Sequence, residues 1–427
     1  MNKLFKYCCF LFTVLILNCT KDDVIKEETT DPVILTSNVE VYEKSLIDQG
    51  LVLAVENGAK QSYLIDKTGE KVKTWDFDLN LGNDLEIMPD GKLLGMFKVK
   101  DPAFSFGGGG GVVRLLNIDG TINWEYEYAS EDYLAHHDVE MLPNGNILFL
   151  AWEKITESEA KLKGVELNGD IYPEVLIEVN PSTNQIVWEW HSFDHIIQDK
   201  FSDITSTFGV LNKSPERIDI NYFPKENGDI MHANGIDFDV DKNVIYVSVN
   251  YYSEVWVIDH STTSVEAKKS VGGNYNKGGD LLYRFGNPEA YKNSFGNRMF
   301  NRNHFPNFLE KNQPGAGNVL VYMNGADVSQ STVYELAMPS VFELKTDASN
   351  EPNVVWSFTD SELFYEKISG AVRLDNGNTL ICEGGYGFWE VTPEKEIAWK
   401  YKGETGSFWR GYGYTWDSSA IESLKLK

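Results

Sequence analysis

One pattern recurs six times along the 427 residues: alternating apolar residues, a turn, an aromatic that is usually Trp, and a second turn rich in Pro, Asn and Gly. Tyr63-Leu64-Ile65-Asp66 leads through Gly69 to Trp75, and the next strand ends at Pro89-Asp90-Gly91. Leu115-Leu116-Asn117-Ile118 leads to Trp124 and then to Leu142-Pro143-Asn144-Gly145. The later units carry Trp188, Tyr283, Trp356 and Trp399 at the corresponding point. Each unit holds about four short strands joined by hairpin turns. One such sheet cannot bury both faces, whereas a closed ring of six buries every blade against its neighbours. The pattern predicts an all-β fold, a six-bladed β-propeller with four-stranded antiparallel blades over residues 43–427. Long insertions in the third and fourth units leave five or seven blades as alternatives. The repeated Trp residues are expected to pack between blades, and the segment Val41 to Val55 to supply a strand that helps close the ring.

The N-terminus reads differently. Met1-Asn2-Lys3-Leu4-Phe5-Lys6 is basic, and the apolar run Tyr7 to Leu17 is short for a bilayer span, which makes residues 1–18 a signal peptide. Leu15-Ile16-Leu17-Asn18-Cys19 resembles a bacterial lipoprotein cleavage box, so Cys19 is expected to carry a lipid. A plain secreted protein with a spare cysteine is the alternative. Residues 19–42 are too polar at their start to fold and form a tether. The chain is thus expected to be exported and lipid-anchored to the bacterial cell envelope, at the outer membrane, on its periplasmic or surface side. Loss of residues 1–18 takes Lys3 and Lys6 with it and moves the formal charge from −26 to −28, which makes nucleic acid an unsuitable partner. Of four cysteines only Cys382 then remains free, so stability must come from the core of the remaining about 385 residues.

Two segments exceed the usual length of a blade connection, Glu153 to Tyr172 and His191 to Asp229, and long loops on one end of a propeller tend to cover its site. The run Gly107 to Gly111 lacks the Lys-Ser/Thr of a phosphate-binding loop and reads as a flexible hairpin tip.

Counting back from the turn glycines identifies positions of equal depth in the blades. His137 lies eight residues before Gly145, Ser369 eight before Gly377 and Asn83 eight before Gly91, while His232 lies nine before Asp241. His304 precedes the strand at Val319 by a longer loop. All are expected to begin innermost strands, so that His137, His232 and His304 meet across the central channel. Three neutral imidazoles can hold a zinc ion, but no His-x-x-x-His pair or nearby Glu supports one, and no metal or other cofactor is assigned. Alternatively one imidazole is a nucleophile while the others and an arginine stabilise a tetrahedral anion. Arg410 is the first candidate for that arginine, with Arg284 or Arg373 as a second.

The stretches His136-His137-Asp138, Val187-Trp188-Glu189-Trp190, His232-Ala233-Asn234, Glu254-Val255-Trp256-Val257-Ile258-Asp259-His260, Tyr283-Arg284-Phe285-Gly286-Asn287-Pro288 and Ser369-Gly370-Ala371 resemble, in this order, the bacterial arylsulfate sulfotransferase family, in its lipoprotein and environmental branch. The resemblance runs from about Leu85 to Tyr414. It implies transfer of a sulfuryl group from a phenolic sulfate ester to a phenol through a sulfohistidine, without a nucleotide sulfate donor. It puts the nucleophile on His304, with His137 and His232 binding sulfate oxygens and assisting proton transfer. Asn234, Asn250, Arg410 and His136 are the expected substrate-binding residues. Where the family pattern has an arginine this chain has Asn250, and where it has an acidic residue after the nucleophile this chain has Phe305. Those two positions motivate a second reading, a non-catalytic cell-surface propeller that binds a sulfated or anionic ligand.

Overall fold

Six antiparallel sheets of four strands are arranged in a ring in the computed structural model, which describes residues 33–426. The proposed signal peptide and Cys19 lie outside the described residues. Blades two to five are each continuous in sequence; the second, for example, runs outward through Leu81–Ile87, Leu93–Lys98, Gly111–Leu116 and Ile122–Glu127. The inner strands of blades three, four and five are Tyr133–Met141, Ala233–Asp239 and Asn303–Phe308. Middle strands such as Val244–Val249 and Glu254–Asp259 are buried along their whole length, because both blade faces pack on neighbours. Outer strands such as Ile122–Glu127 are largely exposed.

Both ends of the chain help to close the ring. The inner strand of the first blade is Phe408–Tyr414, which pairs antiparallel with Leu51–Glu56, Leu51 opposite Tyr414 and Val55 opposite Arg410. Val39–Tyr42 adds a fifth, outermost strand to the sixth blade by pairing with Ile397–Lys402. The closing segment of the sequence reading is thus two strands serving two different blades. The boundary placed at residue 43 also moves: Val39–Tyr42 belongs to the propeller, and Thr36 already bonds to the Thr68 carbonyl. A four-residue strand next to a polar, acidic stretch reads as tether when its partner lies more than 350 residues away.

The recurring aromatic explains how blades are joined. Each outer strand sends one ring N–H or O–H to the next blade: Trp75 to the Ile118 carbonyl at 2.9 Å, Trp124 to Asn184 Oδ1 at 2.7 Å, and Trp188 to Thr262 Oγ1 at 3.2 Å. Tyr283 donates to the Asn350 carbonyl, Trp356 to that of Pro393 at 3.0 Å, and Trp399 to that of Lys67 at 2.9 Å. The last of these joins the sixth blade to the first and completes the circle. Each aromatic body buries apolar area while its polar edge satisfies an oxygen of the next blade, a backbone carbonyl in four joints and a side-chain oxygen in two.

The insertions carry what little helix there is near the site. Glu157–Leu162 begins with a capping box between Thr156 and Glu159. The segment after His191 contains a parallel pair, Ile196–Ile197 with Ile218–Asp219. Among the described residues no helix is long and apolar enough to cross a membrane.

Trp399 is wholly buried at the closing joint. Its replacement by Ala is expected to remove about 3–5 kcal/mol of unfolding free energy, measured by urea denaturation; a change below about 1 kcal/mol would show that the joint is not structural.

Candidate active site

Five of the six inner strands share an irregularity. Their pairing slips between His136 and Val139, between Ala233 and Gly235, between His304 and Pro306, between Leu81 and Leu85, and between Phe408 and Arg410. A bulge re-aims the side chains on either side of it. His137 and His232 both have φ of 56° and Phe305 has 51°, a left-handed backbone that non-glycine residues adopt only under constraint. The result is two tiers of side chains in the channel.

The upper tier surrounds a cavity of about 410 Å³, whose walls include His137, His232, His304, Asn250, Arg302 and Trp409. The three histidines proposed from the repeat therefore do meet: the rings of His137 and His232 are 4.9 Å apart and nearly perpendicular, and Trp409 lies 5.5 Å from His137 and 6.0 Å from His304. Each ring is tied at Nδ1. His137 Nδ1 meets His136 Nδ1 at 2.7 Å, His232 Nδ1 meets Asp229 Oδ2 at 2.6 Å, and His304 Nδ1 meets Asn324 Oδ1 at 2.6 Å. The opposite edge, Nε2, is what each ring offers to the cavity.

The tautomer of His304 follows from its partner. Asn324 Nδ2 donates to the carbonyls of Tyr365 and Ile368, at 3.0 and 2.9 Å, so its oxygen faces His304 and must accept Nδ1–H. Nε2 of neutral His304 then carries the lone pair. Burial, with the charges of His232 and Arg410 in the same direction, pushes His304 down to about 3 against the bond to Asn324. Burial likewise holds His136 and His137 well below the usual imidazole range, each helped by its neighbouring histidines.

The cation of the pocket is not the one the sequence suggested. Arg410 is wholly buried below the histidines and spent on other groups: Asp138 at 2.8 and 2.9 Å, Asp84 at 3.2 Å, the Tyr412 hydroxyl and the Asn234 carbonyl. Arg284 is paired with Glu254 inside the fourth blade, and Arg373 with Glu335. Arg302 instead lines the cavity, its guanidinium lying over the Phe223 and Tyr251 rings at 4.7 and 5.0 Å and bonded to the Asn250 carbonyl. Lys367 lines the same cavity. Asn250 and Arg302 thus line the same cavity, and its guanidinium comes from the residues just before the fifth inner strand.

Further residues sit differently from the sequence reading. His136 does not face the cavity; it is stacked on Trp152 at 3.7 Å and bonded to His137 and to Glu174. Asn234 sits below it, donating to the Asn303 carbonyl, as does Asn250 from the cavity wall. Phe305 points away from His304 into the lower tier, where Arg410 stacks on it at 3.7 Å. The Gly107–Gly111 run is no free hairpin tip, since Gly107 and Gly108 line the cavity and the Gly108 carbonyl accepts from His137 N–H. A side chain there is excluded: Gly108 has φ of 85°, and a Cβ would stand 2.0 Å from His137 Nε2. The insertion ending at Asp229 supplies Phe223 beneath Arg302 and the carboxylate behind His232, so it does cover the site.

Below Arg410 the channel turns acidic, with a cavity of about 280 Å³ walled by Asp84, Glu86, Asp138, Glu140 and Asp237. Burial first, and then the neighbouring carboxylates, raise Glu86 to about 8 and Asp237 to about 7. Arg302 and Lys367 therefore favour an anion in the upper tier, whereas the lower one is walled mainly by carboxyl groups that burial inclines to keep their protons. Among the described residues no three His, Cys, Asp or Glu side chains are placed to hold a metal ion.

A six-bladed propeller with a histidine-walled, cationic pocket at one end of its channel defines the class. The chain belongs to the arylsulfotransferase (ASST) family, whose model matches residues 24–408, and at that level it is a sulfotransferase-like enzyme. Among solved structures it is similar to a protein of unknown function from Bacteroides caccae, at 14% identity over 86% of this chain and 99% of that one, with a TM-score of 0.50. A functionally unknown protein from Desulfotomaculum acetoxidans matches at 12% identity over 86% and 99% of the two chains, with a TM-score of 0.44. The first of these likenesses concerns the fold alone. No curated protein matches the chain.

The two arginines are expected to separate on mutation. Arg410→Met leaves Asp84 and Asp138 buried without their cation and should cost about 3–5 kcal/mol in urea unfolding. Arg302→Met should keep the melting temperature and raise the Kd for inorganic sulfate about tenfold, read by calorimetry. The reverse pattern would contradict the assignment of the two tiers.

Proposed function

We propose that this protein moves a sulfuryl group from an aryl sulfate to a phenolic acceptor through His304, in two half-reactions. The observation that carries the reading is the Asn324–His304 bond, which leaves the Nε2 lone pair of a neutral imidazole facing a pocket that also holds Arg302 and two more histidines. Nε2 attacks sulfur, the S–O bond to the aryl oxygen breaks, and the aryl oxide departs with a proton from the histidine pair. Arg302 and His232 face the sulfate oxygens, where negative charge is held throughout the transfer. In the second half-reaction an acceptor phenol attacks sulfur, the N–S bond breaks and the phenolic proton returns to the protein.

A neutral amide behind the nucleophile suits this cycle. Asn324 accepts Nδ1–H without removing the proton, so sulfated His304 remains an imidazolium and leaves as neutral imidazole when the acceptor attacks. The leaving phenol has a conjugate-acid value near 10, so proton donation from an imidazole is enough. The site requires no nucleotide and no cofactor in this scheme. We further propose that the protein is exported and held at the cell envelope by a lipid on Cys19, as the N-terminal sequence suggests.

The test uses the chain from about residue 32 with a chromogenic aryl sulfate and a phenol. Wild type should release the chromophore, and His304→Ala should lose that activity by a factor on the order of a thousand or more. Because burial holds His304 at about 3, transfer from the donor should persist at pH 5, where an ordinary imidazole of about 6.5 would be mostly protonated and inert. No release by wild type, or release that survives His304→Ala, would contradict the proposal.

A further inference from the structure

Behind His137 lies a chain of buried polar groups that the proposed reaction does not yet use. Glu174 Oε2 meets His136 Nε2 at 2.8 Å, and His136 Nδ1 meets His137 Nδ1 at 2.7 Å. His137 then presents Nε2 to the cavity. Glu174 begins the third strand of its blade, is 1% exposed, and is held in place by the Ala233 N–H, which donates to Oε1 at 2.7 Å. Trp152 covers the face of His136, and both are fully buried. Water therefore has no place along this line, and every proton on it must move between the three side chains.

Two nitrogen atoms 2.7 Å apart share one hydrogen, and this fixes two arrangements of the line. When Glu174 is a carboxylic acid, it donates to His136 Nε2, His136 Nδ1–H donates to His137 Nδ1, and His137 carries its hydrogen on Nε2, facing the cavity. When Glu174 is a carboxylate, His136 carries its hydrogen on Nε2, His137 carries its own on Nδ1, and the cavity meets a lone pair. The two arrangements differ by one proton.

We propose that Glu174, His136 and His137 form a proton relay that serves both half-reactions, with Glu174 and His136 acting as positioning and proton-storing residues behind His137. The inference rests on the aryl sulfotransferase reading above. In the first half-reaction His137 Nε2–H passes to the departing aryl oxygen as the S–O bond breaks. His137 takes the hydrogen of His136 Nδ1, His136 takes that of Glu174, and the carboxylate is left. In the second, the acceptor phenol gives its proton to His137 Nε2, and the hydrogens move back until Glu174 is again an acid. Neither His136 nor His137 has to become an imidazolium at any stage, which matters where burial penalises positive charge on both.

The surroundings favour this store. Burial, and then the nearby Asp229 carboxylate, raise Glu174 well above the usual carboxyl range, against the Ala233 N–H and His232. The groups facing His136 are His232, Asp229 and Asp138, and those facing His137 are His136, His232, His304 and Arg410. His232 has its own carboxylate in Asp229, so it is left to hold a sulfate oxygen while His137 handles the proton.

Glu174→Gln keeps the shape and both hydrogen bonds but cannot release a proton from its amide, so the relay stops in its acid arrangement. The experiment compares phenyl sulfate, whose leaving group needs a proton, with 4-nitrophenyl sulfate, whose leaving group needs little. With no acceptor phenol present, Glu174→Gln should slow the single-turnover release from phenyl sulfate by a factor on the order of a hundred while slowing that from 4-nitrophenyl sulfate less than about threefold; His136→Gln should give the same split. Equal losses on both donors would mean a merely structural role and overturn the relay, as would no loss on either. If wild type turns over neither donor, the parent reading fails, and imidazole ¹⁵N shifts decide the relay alone. They should show His136 and His137 exchanging tautomers together as pH rises in wild type and staying fixed in Glu174→Gln; independent or unchanged behaviour in wild type would overturn it.

Discussion

Arg410 stands on the inner strand of the first blade and touches the next four blades at once. It bonds to Asp84 of the second, Asp138 of the third and the Asn234 carbonyl of the fourth, and it stacks on Phe305 of the fifth. Asp138 in turn accepts the Ile236 N–H, so the third and fourth inner strands are tied at the same level. A guanidinium is suited to this position because its planar fork satisfies several acceptors and an aromatic face together. The strand that carries it, Phe408–Tyr414, also completes the first blade, so the segment that helps to close the ring brings the cation of the central ion cluster. The bulges of five inner strands, its own among them, sit close to this level as well, and they re-aim the side chains on either side of it.

The polarity of the channel follows. Residues one step before the cluster, His137 before Asp138, His304 before Phe305 and Trp409 before Arg410, face the upper cavity. Residues beyond it, Glu86 and Glu140 among them, face the lower one. One end gathers imidazoles, Arg302 and Lys367; the other gathers carboxylates. A chain with a formal charge of −26 can therefore still offer an anion a favourable place, provided the place lies above Arg410 and within reach of Arg302.

The fold was legible because it is periodic. Six aromatics at one point of six units reported the blades, and the turn glycines gave the depth of His137 with enough accuracy to bring three histidines together. What was hidden acts through space between distant segments. Arg410 looked free because Asp84 and Asp138 lie more than 270 residues from it and nothing local marks them as partners. Arg302 stands before its strand, outside the repeat, so no count from a turn could find it. Asn324 follows the second strand of its blade and Glu174 begins the third strand of its own, away from the inner strands, and only their bonds to His304 and His136 show their use. The glycine run differs from the reading for a related reason: its need for glycine comes from His137 packing against Gly108 as well as from that residue's left-handed backbone.

The central claim is that His304 Nε2 is the atom that receives the sulfuryl group. Exposing the protein to an aryl sulfate with no phenol present, quenching in base and mapping the modified peptide by mass spectrometry tests it directly. The account predicts a gain of one sulfuryl group per chain, located on His304 and removed by adding a phenol. A chain that binds the donor and remains unmodified, or one that carries the group on His137 or His232 instead, would contradict it.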